Sequence, residues 1–314
     1  HEDQNINNPN ADGKVTIGRS GRLFIANDSN LVIPQHRGEK LLSITQIDSW
    51  KHLITSRNTY CLDNNINYYM MVVPDAHAVY KEDLPALDNV TSIRPIQQII
   101  SNLNDLSHFI YPLKEMDEAK NIGEVYHPSD SHYSPLGAFV CYRALLNKMK
   151  LDLKILSYKE VKMFNKNESG DLGNKYTPPK TADFTECFVK NPLATKVWNN
   201  EVTNRGHMSL WLNKDKKKPK CLLLTDSYGW KIQRFLAESF SELFIVHSPL
   251  LEKNAIEKFK PDIVITLMAE RFLIYTPNDA TDQSAMSFAK EKGSNIVSYD
   301  EIMLINEKYK KVVK

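Results

Sequence analysis

Long apolar runs are missing from this 314-residue sequence, and with them any segment able to cross a bilayer as a helix. Charge of one sign is also lacking. Forty Lys and Arg against 38 Asp and Glu leave a formal net charge of +2, so no global electrostatic argument supports nucleic acid or an acidic membrane surface as a partner. Cysteine is scarce and scattered: Cys61, Cys141, Cys187 and Cys221 include no C-x-x-C pair, which removes the usual zinc and dithiol arrangements and favours isolated thiols, with one disulfide left open. Cys141 and Cys221 fall in a helical and a strand-like apolar stretch, both suited to a free thiol. The chain opens at His1 rather than methionine, so any export signal or anchor is expected to have been removed or to lie outside it. What is present, 42% hydrophobic and 25% charged residues, describes a globular chain long enough for one large domain, with or without a substantial insertion.

Residues 1–13 are rich in Asn and Asp and read as a disordered or extended arm. Residues 14–314 read as one domain. Lys14–Gly18 and Arg22–Asn27 look like a hairpin around Arg19-Ser20-Gly21. A helix over Gln46–Leu62, a strand over Asn67–Val73, a helix over Arg94–Leu103 and a strand over His108–Leu113 follow. Residues 151–217 are polar, with a turn at Ser169–Gly173 and scattered aromatics, and read as a loop-rich insertion able to roof a crevice. The basic run Lys214–Lys220 reads as a solvated loop. Later segments alternate: strand Leu243–Val246, helix Leu251–Phe259, strand Ile263–Met268, strand Asn295–Tyr299, then a helix opened by Asp300. Strands alternating with single helices call for an α/β fold with a doubly wound, mainly parallel sheet and helices on both faces.

Two stretches carry chemistry. Leu222–Leu224 is an apolar run too short for a helix; it stops at Thr225-Asp226-Ser227-Tyr228-Gly229, after which Ile232, Phe235, Leu236, Ser239 and Phe240 mark one helical face. A strand, tight turn and helix in that order place Ser227 at the carboxyl edge of a sheet, where ligands bind in open α/β folds. The competing assignment is helix capping by Asp226 or Ser227. The second stretch is His127-Pro128-Ser129-Asp130-Ser131-His132-Tyr133-Ser134-Pro135, in which Ser134 caps a helix with proline at its first position. In extended backbone, residues two apart project to one side, so Asp130 can bind His132 and set its tautomer, leaving the other ring nitrogen as a base. Asp130, His132 and Ser227 together hold the parts of a catalytic triad.

Asp130-Ser131-His132-Tyr133-Ser134-Pro135-Leu136-Gly137-Ala138 resembles the D-x-H-W-[ST]-x-x-G-A block of the alginate O-acetyltransferase family, which includes the Gram-positive proteins named for a DHHW motif. Asp226-Ser227-Tyr228 resembles the family's later G-D-S-[FY] block. Weaker echoes occur in family order at Gly21-Arg22-Leu23-Phe24, Val72-Val73-Pro74 with Val79-Tyr80, and Gly170-Asp171-Leu172. The resemblance implies an SGNH-hydrolase-like domain outside the cytoplasmic membrane, possessing or lacking an anchor beyond this chain, that moves acetyl to a polysaccharide hydroxyl. It places nucleophile, base and orienting carboxylate on Ser227, His132 and Asp130. It further implies a polysaccharide acceptor and a membrane-bound acetyl-donating partner, with no cofactor of the enzyme's own. Thr225 stands where the block usually has glycine, and Tyr133 where it usually has tryptophan; the first bears on the turn that presents Ser227, the second on the acceptor-binding surface. Tyr228, Tyr133, Gly170 and Arg271 are candidate substrate or oxyanion contacts, against assignments as core aromatics, turn glycine and surface ion pair.

Three alternatives stand beside this reading. An acetyl esterase would use the same triad with water as acceptor. A metal-dependent hydrolase would ligate its ion through His127, Asp130 and His132, with His77, His108 or His247 completing the set. A non-catalytic glycan-binding relative would keep only the fold.

Overall fold

The described residues, 13–90, 92–296 and 298–313 of the computed structural model, hold eleven strands. Val15–Ile17 (β1) and Leu23–Ile25 (β2) pair as the expected antiparallel hairpin. Asn67–Val73 (β3) and Phe109–Ile110 (β4) come next; Val161–Ser169 (β5) and Thr181–Val189 (β6) form a separate antiparallel ribbon. Ala194–Asn199 (β7), Met208–Asn213 (β8), Lys220–Thr225 (β9), Glu242–His247 (β10) and Ile263–Ala269 (β11) follow. The main sheet runs β4-β3-β11-β9-β10-β8-β7. Its first five strands are mutually parallel, and β8 and β7 extend it antiparallel.

The continuous apolar runs make sense once both faces of this sheet are covered, because successive side chains of a strand point to opposite sides. Cys221 and Leu223 of β9, Leu243 and Ile245 of β10, and Ile263, Ile265 and Leu267 of β11 pack into one core. The helices Pro135–Met149 and Gly229–Leu236 close that core with Leu136, Phe139, Ile232 and Phe235. The intervening Leu222, Leu224, Phe244, Val246 and Val264 face a second core, closed by the helices Ile44–Asp63, Lys253–Phe259 and Tyr299–Lys310. The architecture is therefore α/β with a large mixed sheet between helices.

Several local expectations are revised. Residues 151–217 hold four strands, the β5–β6 ribbon and the edge strands β7 and β8, where a loop-rich insertion was expected. The polar composition belongs mainly to β5, which is mostly exposed because its backbone bonds are met by β6 while its side chains face water, whereas β8 is almost wholly buried. No strand is assigned at the described residues of 295–299. Ser298 instead caps the final helix, accepting from the Glu301 N–H, and Asp300 lies inside its first turn. The strand expected over His108–Leu113 shortens to two residues, and the helix after Ser227 ends at Leu236, although Ser239 and Phe240 remain buried. All four cysteines are buried and free; burial pushes the Cys61 and Cys187 thiols up to about 12, consistent with inert packing groups. The expected N-terminal arm, apart from Gly13, lies outside the described residues. Among the described residues no helix is long and apolar enough to cross a membrane.

One buried histidine makes the fold sensitive to acid. His77 follows β3, lies 2% exposed, bonds the Ile25 carbonyl through Nε2 at 2.9 Å and leaves Nδ1 without a partner among the described residues. Burial, aided by the nearby Arg271 charge and opposed by the Ile25 bond, lowers its pKa to about 4. The unfolded chain takes up that proton near the ordinary histidine value and the folded chain resists it, so stability falls as pH falls from about 6.5 to about 4. His77→Gln keeps an amide donor for Ile25 but cannot titrate. Urea unfolding between pH 6 and 4.5 should show a shallower loss in the variant than in the wild type, by up to about 1.4 kcal/mol per pH unit. Parallel slopes would show that His77 is not held neutral.

Candidate active site

Ser227 lies two residues beyond β9, at the carboxyl edge of the sheet and immediately before the Gly229–Leu236 helix. Neither Asp226 nor Ser227 caps that helix: Tyr228 takes the N-cap position without a side-chain cap bond. Asp226 Oδ1 accepts from the Tyr228 N–H at 2.8 Å, and Asp226 Oδ2 accepts from the Ala269 N–H at 2.8 Å, tying the turn to the end of β11. Asp226 thus ties down the turn, and the Ser227 hydroxyl is left to meet His132. Burial pushes the Asp226 carboxyl upward, and those two N–H groups oppose it. Thr225, in place of the usual glycine, keeps negative φ, and its methyl packs on Gly229, where a Cβ would come within 2.4 Å of it.

The second stretch arrives from the opposite side. Tyr126 and Tyr133 form an isolated antiparallel bridge, and the Ser134 N–H bonds the Val125 carbonyl at 2.9 Å, so residues 127–132 are pinched into a loop. Asp130 and His132 meet through a bend rather than the extended backbone expected. Asp130 Oδ1 accepts both the His132 backbone N–H and Nδ1, each at 2.8 Å, as in an Asx turn. Behind them Ser134 caps the Pro135–Met149 helix, accepting from Gly137 N at 3.0 Å. His132 Nε2 then lies 2.8 Å from Ser227 Oγ. The three residues join in one hydrogen-bonded relay, although 95 positions separate His132 from Ser227.

The β5–β6 connection walls this relay. The Gly170 N–H donates to Ser129 Oγ at 3.0 Å, the Asp171 N–H to Asp130 Oδ2 at 3.2 Å, and Asp171 Oδ1 accepts from Ser131 N at 2.6 Å. A third cluster of Val15, Leu23, Leu172 and Tyr176 fastens the N-terminal hairpin to the same connection. Asp171 escaped the sequence reading as a site residue; its only signal was the Gly170-Asp171-Leu172 echo. Burial works against ionised Asp130, but the His132 hydrogen bond and the Lys231 and His132 charges prevail and hold its carboxyl well below the usual range. Lys231, also missed, sits on the helix after Ser227; burial lowers its pKa while Asp130 and Asp171 oppose the shift.

Gly170 is required by close approach. A Cβ there would stand 2.3 Å from Asp130 Cβ and 2.5 Å from the Ser129 carbonyl. Gly170→Ala should therefore displace Asp130 and cut turnover roughly 100-fold, the scale of an ångström-sized misplacement. Steady-state assay against an acetyl ester checks this, and a loss under threefold would mean that the connection moves away freely.

The remaining candidates are engaged elsewhere. Tyr133 is fully buried and donates to the Tyr228 carbonyl, so it supports the turn from below and is not part of an acceptor-binding surface. The Tyr228 phenol donates to the Ser131 carbonyl at 2.9 Å and accepts from Arg271 at 3.0 Å. Arg271 forms a buried ion pair with Asp75 at 2.6 Å, in place of the surface pair considered from sequence. The Gly170 N–H is spent on Ser129. By contrast, no protein acceptor occupies the Ser227 N–H among the described residues.

The metal arrangement held as an alternative is not assembled among the described residues. His127 Nδ1 accepts from the Ser129 N–H at 3.1 Å, and its ring packs 4.3 Å from Phe184. His77 is bound to Ile25, and His108 and His247 lie at β4 and at the end of β10. Among the described residues, the groups with ligand-type atoms close together are Asp130, His132 and Asp171, which omits His127, and the buried set His36, Asp75 and Glu270. In the second set Glu270 and Asp75 already pair with Arg94 and Arg271.

Solved structures share this fold. Bacillus cereus PatB1 carrying a sulfonyl adduct is similar with a TM-score of 0.59 and 14% identity, over 76% of this chain and 92% of that one. A DHHW family protein from Eubacterium siraeum is similar with a TM-score of 0.58 and 16% identity over 88% and 98%. The O-acetyltransferase domain of Pseudomonas putida AlgJ is similar with a TM-score of 0.52 and 18% identity over 89% and 99%. No curated protein sequence matches. The family described as "SGNH hydrolase-like domain, acetyltransferase AlgX" matches residues 15–245, which span the fold's first strand, Asp130, His132 and Ser227. With that match covering most of its length, the chain belongs to the AlgX-type SGNH hydrolase-like acetyltransferase family.

Proposed function

We propose that this chain is an extracytoplasmic polysaccharide O-acetyltransferase working through an acyl-serine. The observation that carries the reading is the Asp130–His132–Ser227 relay, with both links at 2.8 Å, at the carboxyl edge of the sheet. The Ser227 hydroxyl gives its proton to His132 Nε2 as Oγ attacks the carbonyl carbon of an acetyl donor. The Ser227 N–H, without an acceptor among the described residues, takes the developing oxyanion. Asp130 holds the Nδ1 proton and stabilises the imidazolium. Collapse expels the donor's leaving oxygen, which collects the proton from Nε2. A sugar hydroxyl then gives its proton to the same nitrogen, attacks the acetyl-serine, and Ser227 leaves with the proton returned. No step calls on a dissociable cofactor. Family membership supports acetyl transfer as the reaction class; a membrane-bound donor partner and an extracytoplasmic site belong to the same proposal.

An esterase with this triad differs only in whether water or a sugar reaches the acyl-enzyme first. Intact mass after incubation with an activated acetyl ester, with and without a glycan, tests both. A single acetyl adduct that disappears faster with glycan supports transfer. Equal decay marks hydrolysis, and no adduct refutes the acyl-serine.

A further inference from the structure

We propose that a cavity on the flank of the Ser227 turn is a subsite for an uncharged sugar ring of the acceptor, an inference that rests on the acyl-transfer reading above. The cavity, about 360 Å³, is lined by the carboxyl ends of β9, β10 and β11 and by the loop that follows β11. That volume lies in the range of small-ligand sites, and strand carboxyl ends are where open α/β sheets bind ligands. It sits on the side of the sheet faced by Leu224 and Met70, whereas Tyr133 and Tyr228 pack on the side of His132. Asp226 forms part of its wall. The Asp226 and Ser227 Cα atoms are one peptide link, about 3.8 Å, apart, so the cavity opens at the same carboxyl edge as the nucleophile. The adjoining part of a glycan seated there has to pass over that edge to reach Ser227 Oγ on the His132 side.

The ligand's charge follows from the charges in the lining. Arg57, Arg205, Asp226 and Asp282 are two of each sign. Arg57 is bound to Asp279 through two nitrogens at 2.6 and 2.8 Å, and Asp226 is spent on two backbone N–H groups. Asp282 accepts from Asn278 N at 2.8 Å, and the Arg205 guanidinium lies over Phe288 at 5.5 Å. With two charges of each sign, the lining carries no net charge to offset the burial of an ionic ligand.

The shape of the polarity points to a sugar. Leu224, Met268 and Phe272 supply an apolar floor, and Tyr275, 58% exposed, stands at the rim. A pyranose ring presents a face of C–H groups and an edge of hydroxyls, which matches an apolar floor with isolated polar contacts. Thr276 Oγ1 is buried beside the cavity without a partner among the described residues, a state that costs free energy until a ligand supplies one. The His247 ring also makes no hydrogen bond within the described protein; burial holds it neutral, with its pKa lowered to about 4, so it offers one donor and one acceptor.

The test uses the full chain carrying Ser227→Ala, which binds without turning over. It is titrated calorimetrically with hexasaccharides of glucosyl, mannosyl, xylosyl and N-acetylglucosaminyl repeat, and with an oligouronate of equal length. At least one neutral hexasaccharide should bind, and adding Tyr275→Ala or Thr276→Val should weaken it, the tyrosine change by roughly tenfold. Tyr275 is exposed enough for the variant to fold, and Leu304→Ala, at the exposed position on the C-terminal helix, serves as the unaffected control. Binding of the oligouronate alone, binding indifferent to both substitutions, or no binding by any neutral glycan overturns the subsite. Glycan binding without an acetyl adduct on the Ser227 protein would sink the acyl-transfer reading and leave the subsite standing; an adduct without glycan binding would do the reverse.

Discussion

Ser227→Ala is expected to abolish the acetyl adduct and lower ester turnover by roughly six orders of magnitude, the scale found when a triad's nucleophile is removed. The expectation rests on geometry: Ser227 Oγ is the hydroxyl that meets His132 Nε2, at 2.8 Å, and no side chain caps the following helix, so the hydroxyl has no capping role to lose. Removing the hydroxyl should therefore leave the fold nearly untouched, which circular dichroism and the urea midpoint would register. His132→Ala should lose about as much, since members of one catalytic unit do not contribute additively. A metal hydrolase would respond differently, tolerating Ser227→Ala and losing turnover with chelator. Near-normal turnover in Ser227→Ala would end the acyl-serine reading.

Asp130→Asn should cost roughly four orders of magnitude in turnover while the protein stays folded. The neighbours of Asp130 explain why an isosteric change is so damaging. Oδ1 accepts the His132 N–H and Nδ1, and Oδ2 accepts the Asp171 N–H. All three are donors, so the amide nitrogen of asparagine meets a donor whichever way it turns. Turned toward His132, it favours the tautomer whose Nε2 carries the proton and cannot serve as base; turned toward Asp171, it forces the β5–β6 connection away. In both cases the negative charge that balances the imidazolium is gone. The carboxyl is held well below the usual range, so Asp130 stays ionised through mildly acidic conditions and cannot supply an acid limb near neutral pH. Turnover within tenfold of wild type for Asp130→Asn would show that the carboxylate is a structural link only.

Local patterns in the chain were enough to place the strand that presents Ser227 and the pairing of Asp130 with His132. Leu222–Leu224 could only be a short buried strand, because an apolar run that halts at Thr-Asp-Ser-Tyr-Gly has no room to complete a helix, and β9 ends at Thr225. Ser134-Pro135 announced a helix start through local backbone chemistry, and Ser134 caps it. The pairing of Asp130 with His132 was also legible, although a bend rather than extended chain brings them together. Tertiary structure decided what no local pattern encodes. β5 reads as a loop because β6 meets its hydrogen bonds while most of its side chains face water, and the burial of Phe184, Thr185 and Cys187 on β6 arises only from packing against distant segments. Residues 295–299 carried a strand-like apolar pattern, yet Ser298 starts a helix there, the cap outcompeting the pattern. Tyr133 and Arg271 looked like surface contacts and proved to be buried supports, since burial depends on which elements pack above a residue. Asp171 and Lys231 reach the site only through the ribbon and through the helix after the nucleophile. Periodicity and capping are properties of neighbours in the chain and survive in the sequence; enclosure, and the partner each buried polar group finds, come from segments far apart in it and exist only after folding.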